Sequence, residues 1–116
     1  MSNLKLLMIV LNREEHLDEL LEAFLELDVR GATVIDSVGM GHIISDTIPF
    51  FGGLRSLMEG SRPYNKTIFT VVEEEKIEDI VREYEKICGC LDEPGTGLLI
   101  TLPIDYVKGL PGTSLS

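Results

Sequence analysis

The chain has 116 residues, a formal net charge of −10 and 44% hydrophobic residues. That is one globular domain with enough apolar residues for a core of its own. The acidic balance excludes a nucleic-acid-binding surface, which needs clustered Lys and Arg, and it favours neutral or basic partners. It also makes a polyanion such as ATP an unfavourable guest unless backbone donors override the overall field.

Leu4 to Leu11 is an apolar run broken only by Lys5. It predicts a strand covered on both faces, or on one face in an oligomer, and it is far too short to span a bilayer. Met1 to Leu11 carries one lysine and no small-residue cleavage site, so no signal peptide is read and a cytoplasmic protein is expected. Asn12 is placed to cap the next helix, with Glu15 three residues on in a variant of the capping box. Leu17, Leu20, Leu21, Phe24 and Leu27 give one apolar helical face; Asp18, Glu19, Glu22 and Glu26 lie off it. His16, in the first turn, reads as a surface residue.

Val29 to Gly41 is the stretch on which the chain turns. Gly31 is expected to close the helix in the left-handed backbone that glycine tolerates. Ala32 to Val38, rich in β-branched residues, predicts a strand, and Gly39-Met40-Gly41 ends it. Residues 42–63 form a connection long enough to be functional. It holds Ile43, Ile44, Ile48, Phe50, Phe51, Leu54, Leu57 and Met58, a content unlike that of a disordered linker. Either it packs on its own subunits or it presents a partner surface, with Ile48, Phe50, Phe51, Leu54 and Arg55 as the partner-binding set. Gly53 to Glu59 could form a short helix inside it.

Thr67 to Val72 predicts a third strand. Glu73-Glu74-Glu75 opens a second helix with acid at the positive end of its dipole. The apolar face of that helix is Ile77, Ile80, Val81, Tyr84, Ile87 and Cys88, and Gly89 ends it. Cys88 and Cys90 face different directions on a helix, and no four-ligand zinc spacing exists, so both read as reduced cysteines. Residues 90–97 are turn-rich, Leu98 to Leu102 is the fourth strand, and residues 104–116 form a tail expected to be flexible.

The order β-α-β, loop, β-α-β predicts an α+β, ferredoxin-like domain over residues 1–116: a four-stranded antiparallel sheet with two helices on one face. The first strand is apolar on both alternations, Leu6, Met8 and Val10 against Leu7, Ile9 and Leu11. A monomer would leave one row in water, which points to an oligomer packed through the open sheet face.

With this order in place, the chain resembles the P-II nitrogen-regulatory signalling proteins from Leu4 to about Leu110. Val29-Arg30-Gly31-Ala32-Thr33-Val34 with Gly39-Met40-Gly41 is similar to the family's "VRGMTV…GFG" segment. Gly95-Thr96-Gly97 and the strand after it resemble "GDGKIFVF". The resemblance implies a non-enzymatic homotrimer with three sheets lining its centre. It also implies an adenine nucleotide in clefts between subunits, often with 2-oxoglutarate, and a long loop that acts on an enzyme, membrane transporter or transcription factor. Carried onto this sequence, the nucleotide-binding positions are Thr33, near the adenine, Gly39 and Gly41, and Gly95, Thr96 and Gly97. No catalytic or metal-binding residue is implied.

The departures from the family pattern are specific. Leu98 stands where the family has a phosphate-contacting lysine, and Gly109 and Pro111 stand where it has two arginines. Lys108 lacks an arginine's planar fork. These losses predict weak ATP binding or an adenine nucleotide of lower charge. Phe50 stands at the position of the tyrosine that is nucleotidylated in the family, so that modification is not expected here. The alternative is a trimeric ferredoxin-like protein of the metal-tolerance or small-ligand-binding kind with no nitrogen-regulatory role; clustered Cys and His, its metal signature, are absent. A small enzyme of the same fold is a third class, but no nucleophile–base pair or paired catalytic carboxylates stands out.

Overall fold

The structure, a computed structural model, describes residues 3–40 and 64–110. In chain order its elements are β1 (Leu4–Leu11), α1 (Leu17–Glu26), β2 (Thr33–Val38), β3 (Tyr64–Glu73), α2 (Ile77–Cys88) and β4 (Gly97–Pro103). The four strands form one antiparallel sheet in the order β2-β3-β1-β4. With both helices on one face, this is the expected ferredoxin-like arrangement.

Side-chain alternation divides the sheet into two faces. From β1, Leu7, Ile9 and Leu11 are fully buried and meet Ile68 and Val72 of β3 beneath the helices. Leu20 and Phe24 of α1 and Ile80, Tyr84 and Cys88 of α2 close this core from above. The predicted helical faces are therefore the ones that pack. Ile77, Ile87, Leu17, Leu21 and Leu27 complete them as half-buried neighbours.

Helix entry differs from the expectation. Each helix is preceded by a 3-10 turn, Glu14–His16 before α1 and Glu74–Lys76 before α2. Asn12 thus lies five residues ahead of Leu17, out of capping reach, and no side chain caps the helix. Its Nδ2 donates instead to the Gly95 carbonyl, at 3.2 Å. The backbone turn does the capping work, with His16 N–H donating to Arg13 O at 3.1 Å.

Helix exit differs as well. Gly31 does not close α1. Asp28 takes the left-handed backbone, φ 63°. Its N–H donates to Leu25 O at 3.0 Å, and the Val29 N–H donates to Phe24 O at 2.8 Å. This pair of bonds is a Schellman termination, and the accompanying apolar contact is made by Val29 and Phe24 in the core. Aspartate tolerates this conformation better than most residues. Gly31 sits three residues later, and its carbonyl accepts a hydrogen bond from the Thr70 hydroxyl. Gly89 does end α2 as expected, at φ 105°.

β2 starts one residue later than predicted, and β3 is longer at both ends. β4 starts at Gly97 and ends at Pro103.

Candidate functional site

The register sets the positions of the expected nucleotide-binding residues. Gly97 pairs with Leu11, Leu11 with Lys66, and Lys66 with Asp36. Gly39 follows the end of β2 on the same side. Gly39 and the Gly95–Gly97 turn therefore share one end of the sheet but occupy its two opposite edges. Thr33 lies further down β2, paired to Phe69, in the row of Met8 and Ile100. Four strands at about 4.8 Å spacing separate the edges by about 14 Å. A single chain does not bring Thr33 to the Gly95–Gly97 turn.

The Gly95–Gly97 turn is held in a fixed shape. Gly95 has φ 79° and Gly97 φ 139°. The Gly95 carbonyl accepts from Asn12, and the Thr96 carbonyl accepts from the buried Tyr84 hydroxyl at 2.8 Å. Thr96 itself is buried at 5% exposure, so its side chain packs inward and any ligand contact falls to its backbone. A Cβ on Gly97 would overlap the Tyr84 hydroxyl and lie 2.8 Å from the Val10 carbonyl. Gly97 thus has a packing reason to be glycine whatever else it does.

Burial raises the Tyr84 phenol well above its ordinary range and pushes the Cys88 thiol up to about 11. Both stay protonated at neutral pH, and Cys88 is a poor nucleophile. Cys90 is exposed, and neither cysteine is in a disulfide. Among the described residues no group of three or more His, Cys, Asp and Glu could hold a metal ion. In the row of Gly97, Lys66 is already paired with Asp36, which raises the lysine pKa.

The open face is the second feature. Its rows are Leu98, Val10, Thr67 and Ile35; then Ile100, Met8, Phe69 and Thr33; then Leu102, Leu6 and Val71; and, at the far end, Leu4 and Glu73. Glu73, at that far end, is the one charged residue in these rows. Leu98 is 55% exposed, and Ile35 and Leu102 are each 44% exposed.

Sequence reasoning missed one group on this face. Ser37 Oγ lies 2.8 Å from Thr67 Oγ1 and also bonds the Asn65 side-chain oxygen. Single polar residues in β-rich runs give no local signal for such a group, because the partners are 28 and 30 residues from Ser37.

No family model matches the chain, and no curated protein matches it either. Solved structures do. A functionally unknown protein from Pediococcus pentosaceus is 17% identical with a TM-score of 0.61, over 95% of this chain and 100% of that one. Arabidopsis thaliana PII bound to citrate is 18% identical with a TM-score of 0.62, over 89% of this chain and 78% of that one. The fold is PII-like. At these identities the likeness speaks of the PII-like fold alone. Gly41 and the partner-loop residues Ile48, Phe50, Phe51, Leu54 and Arg55 lie outside the described residues. No helix among the described residues is long and apolar enough to cross a membrane.

Proposed function

We propose that the chain is a PII-like regulatory protein, a non-enzymatic cytoplasmic homotrimer. It assembles through the open sheet face and acts on a protein target, an enzyme or a membrane transporter, through the 42–63 loop. The observation that carries this reading is the largely apolar open face, charged only at its Glu73 end, with Leu98, Ile100 and Leu102 exposed on a sheet that is PII-like in fold. Four strands and about five residues per strand cover a flat area on the order of 300 Å², the size of the largest apolar patch on a typical monomer, which is often functional. Covering it with further copies removes the cost of leaving it in water.

The same assembly gives the effector site a place. Thr33 and the Gly95–Gly97 turn occupy opposite edges, so the β2 edge of one copy facing the β4 edge of the next would bring them together. An adenine nucleotide fits that cleft better with fewer phosphates. Leu98, Gly109 and Pro111 supply no cation, and the lost charge-assisted hydrogen bonds are worth roughly 1.5–3 kcal/mol each.

Light scattering at micromolar protein tests the assembly; three times the 12.9 kDa chain mass is expected, and a clean monomer rejects it. Calorimetric titration with ATP, ADP and AMP tests the ligand. Tighter binding of ADP or AMP than of ATP is expected, and micromolar ATP binding would mean that other residues replace the missing cations. Pull-down with Phe50→Ala plus Phe51→Ala tests the loop. Unchanged partners with an intact trimer would move the recognition surface elsewhere.

A further inference from the structure

Ser37, Asn65 and Thr67 form a polar cluster on the open face, at the end of the sheet from which the 42–63 connection departs. Ser37 pairs with Asn65 in register, and Thr67 is paired with Val10 and Ile35. All three therefore project from the same face as Met8 and Phe69. Apart from Thr33, and Glu73 opposite Leu4 at the far end, the other residues in the paired rows of that face are apolar.

Proton counting gives the cluster a direction. A serine hydroxyl has one proton to donate. Ser37 Oγ is bonded to the Asn65 side-chain oxygen, lies 3.3 Å from the Asn65 backbone carbonyl and 2.8 Å from Thr67 Oγ1. Two of these neighbours can only accept, so the Ser37 proton goes to Asn65. Thr67 must then donate to Ser37. The relay runs Thr67 to Ser37 to Asn65, and Asn65 is itself buried, at 8% exposure. A polar network whose hydroxyl protons are already placed can be covered by an apolar neighbour at modest cost, whereas a half-satisfied one cannot.

The occupant of the face is a second copy of the chain. Glu14, Glu15, Asp18, Glu19, Glu22 and Glu26 lie on or just before α1, and Glu74, Glu75, Glu78, Asp79, Glu83 and Glu85 lie on or just before α2. The charge is thus concentrated on the helix layer, behind the sheet. Identical acidic chains can meet through the open face with their acids pointing outward.

The apolar rows between Glu73 at one end and this cluster at the other specify contact but not register, because one apolar row packs against another in several ways. A single buried polar group in an apolar interface can fix register and oligomer state. We infer that the Thr67–Ser37–Asn65 relay is the element that fixes a single arrangement of copies on this face. This rests on the assembly reading above. It adds that the polar corner selects the stoichiometry while the apolar rows supply the affinity.

Native mass spectrometry of the full chain is the test, with Thr67→Val, Thr67→Ser and Ser37→Ala plus Thr67→Val. Wild type and Thr67→Ser, which keeps the hydroxyl, should give one stoichiometry. Thr67→Val and the double variant should still associate but lose that single state, giving a mixture of stoichiometries. Circular dichroism on each sample checks the fold, and Thr67→Val, a near-isosteric change, serves if the double variant does not fold. A variant set that keeps one unchanged stoichiometry overturns the inference and leaves the assembly standing. A monomeric wild type overturns both.

Discussion

The two faces of the sheet are built from the same kinds of residue and live in different surroundings. On β1, Leu7, Ile9 and Leu11 are fully buried, while Leu6, Met8 and Val10, alternating with them, are only half-buried. The difference does not come from composition. It comes from what stands over each face: two amphipathic helices on one side and nothing from the same described chain on the other. Burial of equal apolar area is worth equal free energy, so the open rows hold stabilisation that a single chain leaves unrealised. The helix layer carries the charge and the open face carries almost none, so one side is made for water and the other for contact.

Single substitutions on adjacent β1 residues should separate the two faces most sharply. Ile9→Ala opens a cavity under the helices and should cost about 2–5 kcal/mol, read as a loss of midpoint in urea. Met8→Glu should leave the folded chain in place, with a far-ultraviolet spectrum like wild type, but should abolish association by burying a charge in an apolar interface. If Met8→Glu unfolds the chain outright, the open face is an intrachain core. If it changes neither fold nor mass, the face is ordinary surface.

A second comparison lies on β4. Gly97 belongs to the helix side and Leu98 to the open side. Gly97→Ala forces a Cβ onto the Tyr84 hydroxyl and against the Val10 carbonyl, at a φ that L-residues rarely adopt. Losses at such sites reach about 1–3 kcal/mol. Tyr84→Phe alone should cost about 1–3 kcal/mol by leaving the Thr96 carbonyl without its donor. The pair should be less than additive, because Phe removes the atom that collides first; Val10 O at 2.8 Å keeps the rescue partial. Denaturant midpoints of the two single variants and the double give the coupling. Strict additivity would mean that Tyr84 and position 97 do not meet.

These contrasts also show which parts of the molecule can be read from local sequence. Strands and helical faces were legible because alternation and three–four spacing are written within one element. β1 is found at Leu4–Leu11 as expected, and the faces through Leu20 and Phe24, and through Ile80 and Tyr84, are the ones that pack. Element order gave the ferredoxin-like fold. Terminations were less legible. Asn12 reads as a cap, but an intervening 3-10 turn sends it across to Gly95; Gly31 reads as a helix stop, but Asp28 takes the left-handed backbone before it. Asn12 was drawn away by a tertiary partner, and Gly31 was pre-empted by a local turn closed three residues earlier. Around the candidate site, Thr33, Gly39 and Gly97 could be picked by pattern. Their separation on opposite edges, the Tyr84–Thr96 tie and the Ser37 relay depend on strand register, which no short window contains.

The smallest expected effect concerns a charge on the helix side, and it completes the contrast with Met8→Glu. Asp28 bonds Arg30 Nε at 2.8 Å and lies 3.9 Å from Lys76 Nζ. The hydrogen bond and charge of Arg30, then the charge of Lys76, hold its carboxyl below the usual 3.8. A carboxyl whose pKa falls on folding adds stability above its unfolded pKa and loses it as pH drops through the folded value. Asp28 is fully solvent-exposed, so screening keeps the contribution small and salt-sensitive. Asp28→Asn removes the charge but keeps a residue that accepts the left-handed backbone. The variant should therefore melt slightly below wild type at pH 7, and the gap should close below the lowered pKa and in high salt. Asp28→Ala should melt lower at every pH, because alanine adds a backbone penalty of about 1–2 kcal/mol that does not titrate. Thermal melts of the three proteins at pH 7 and pH 2.5 separate the two causes. A gap between wild type and Asp28→Asn that persists undiminished in acid would show that the amide disturbs the turn itself. In that case the ion pair with Arg30 and Lys76 contributes nothing to stability, and the charge of the helix layer serves only to keep that side in water.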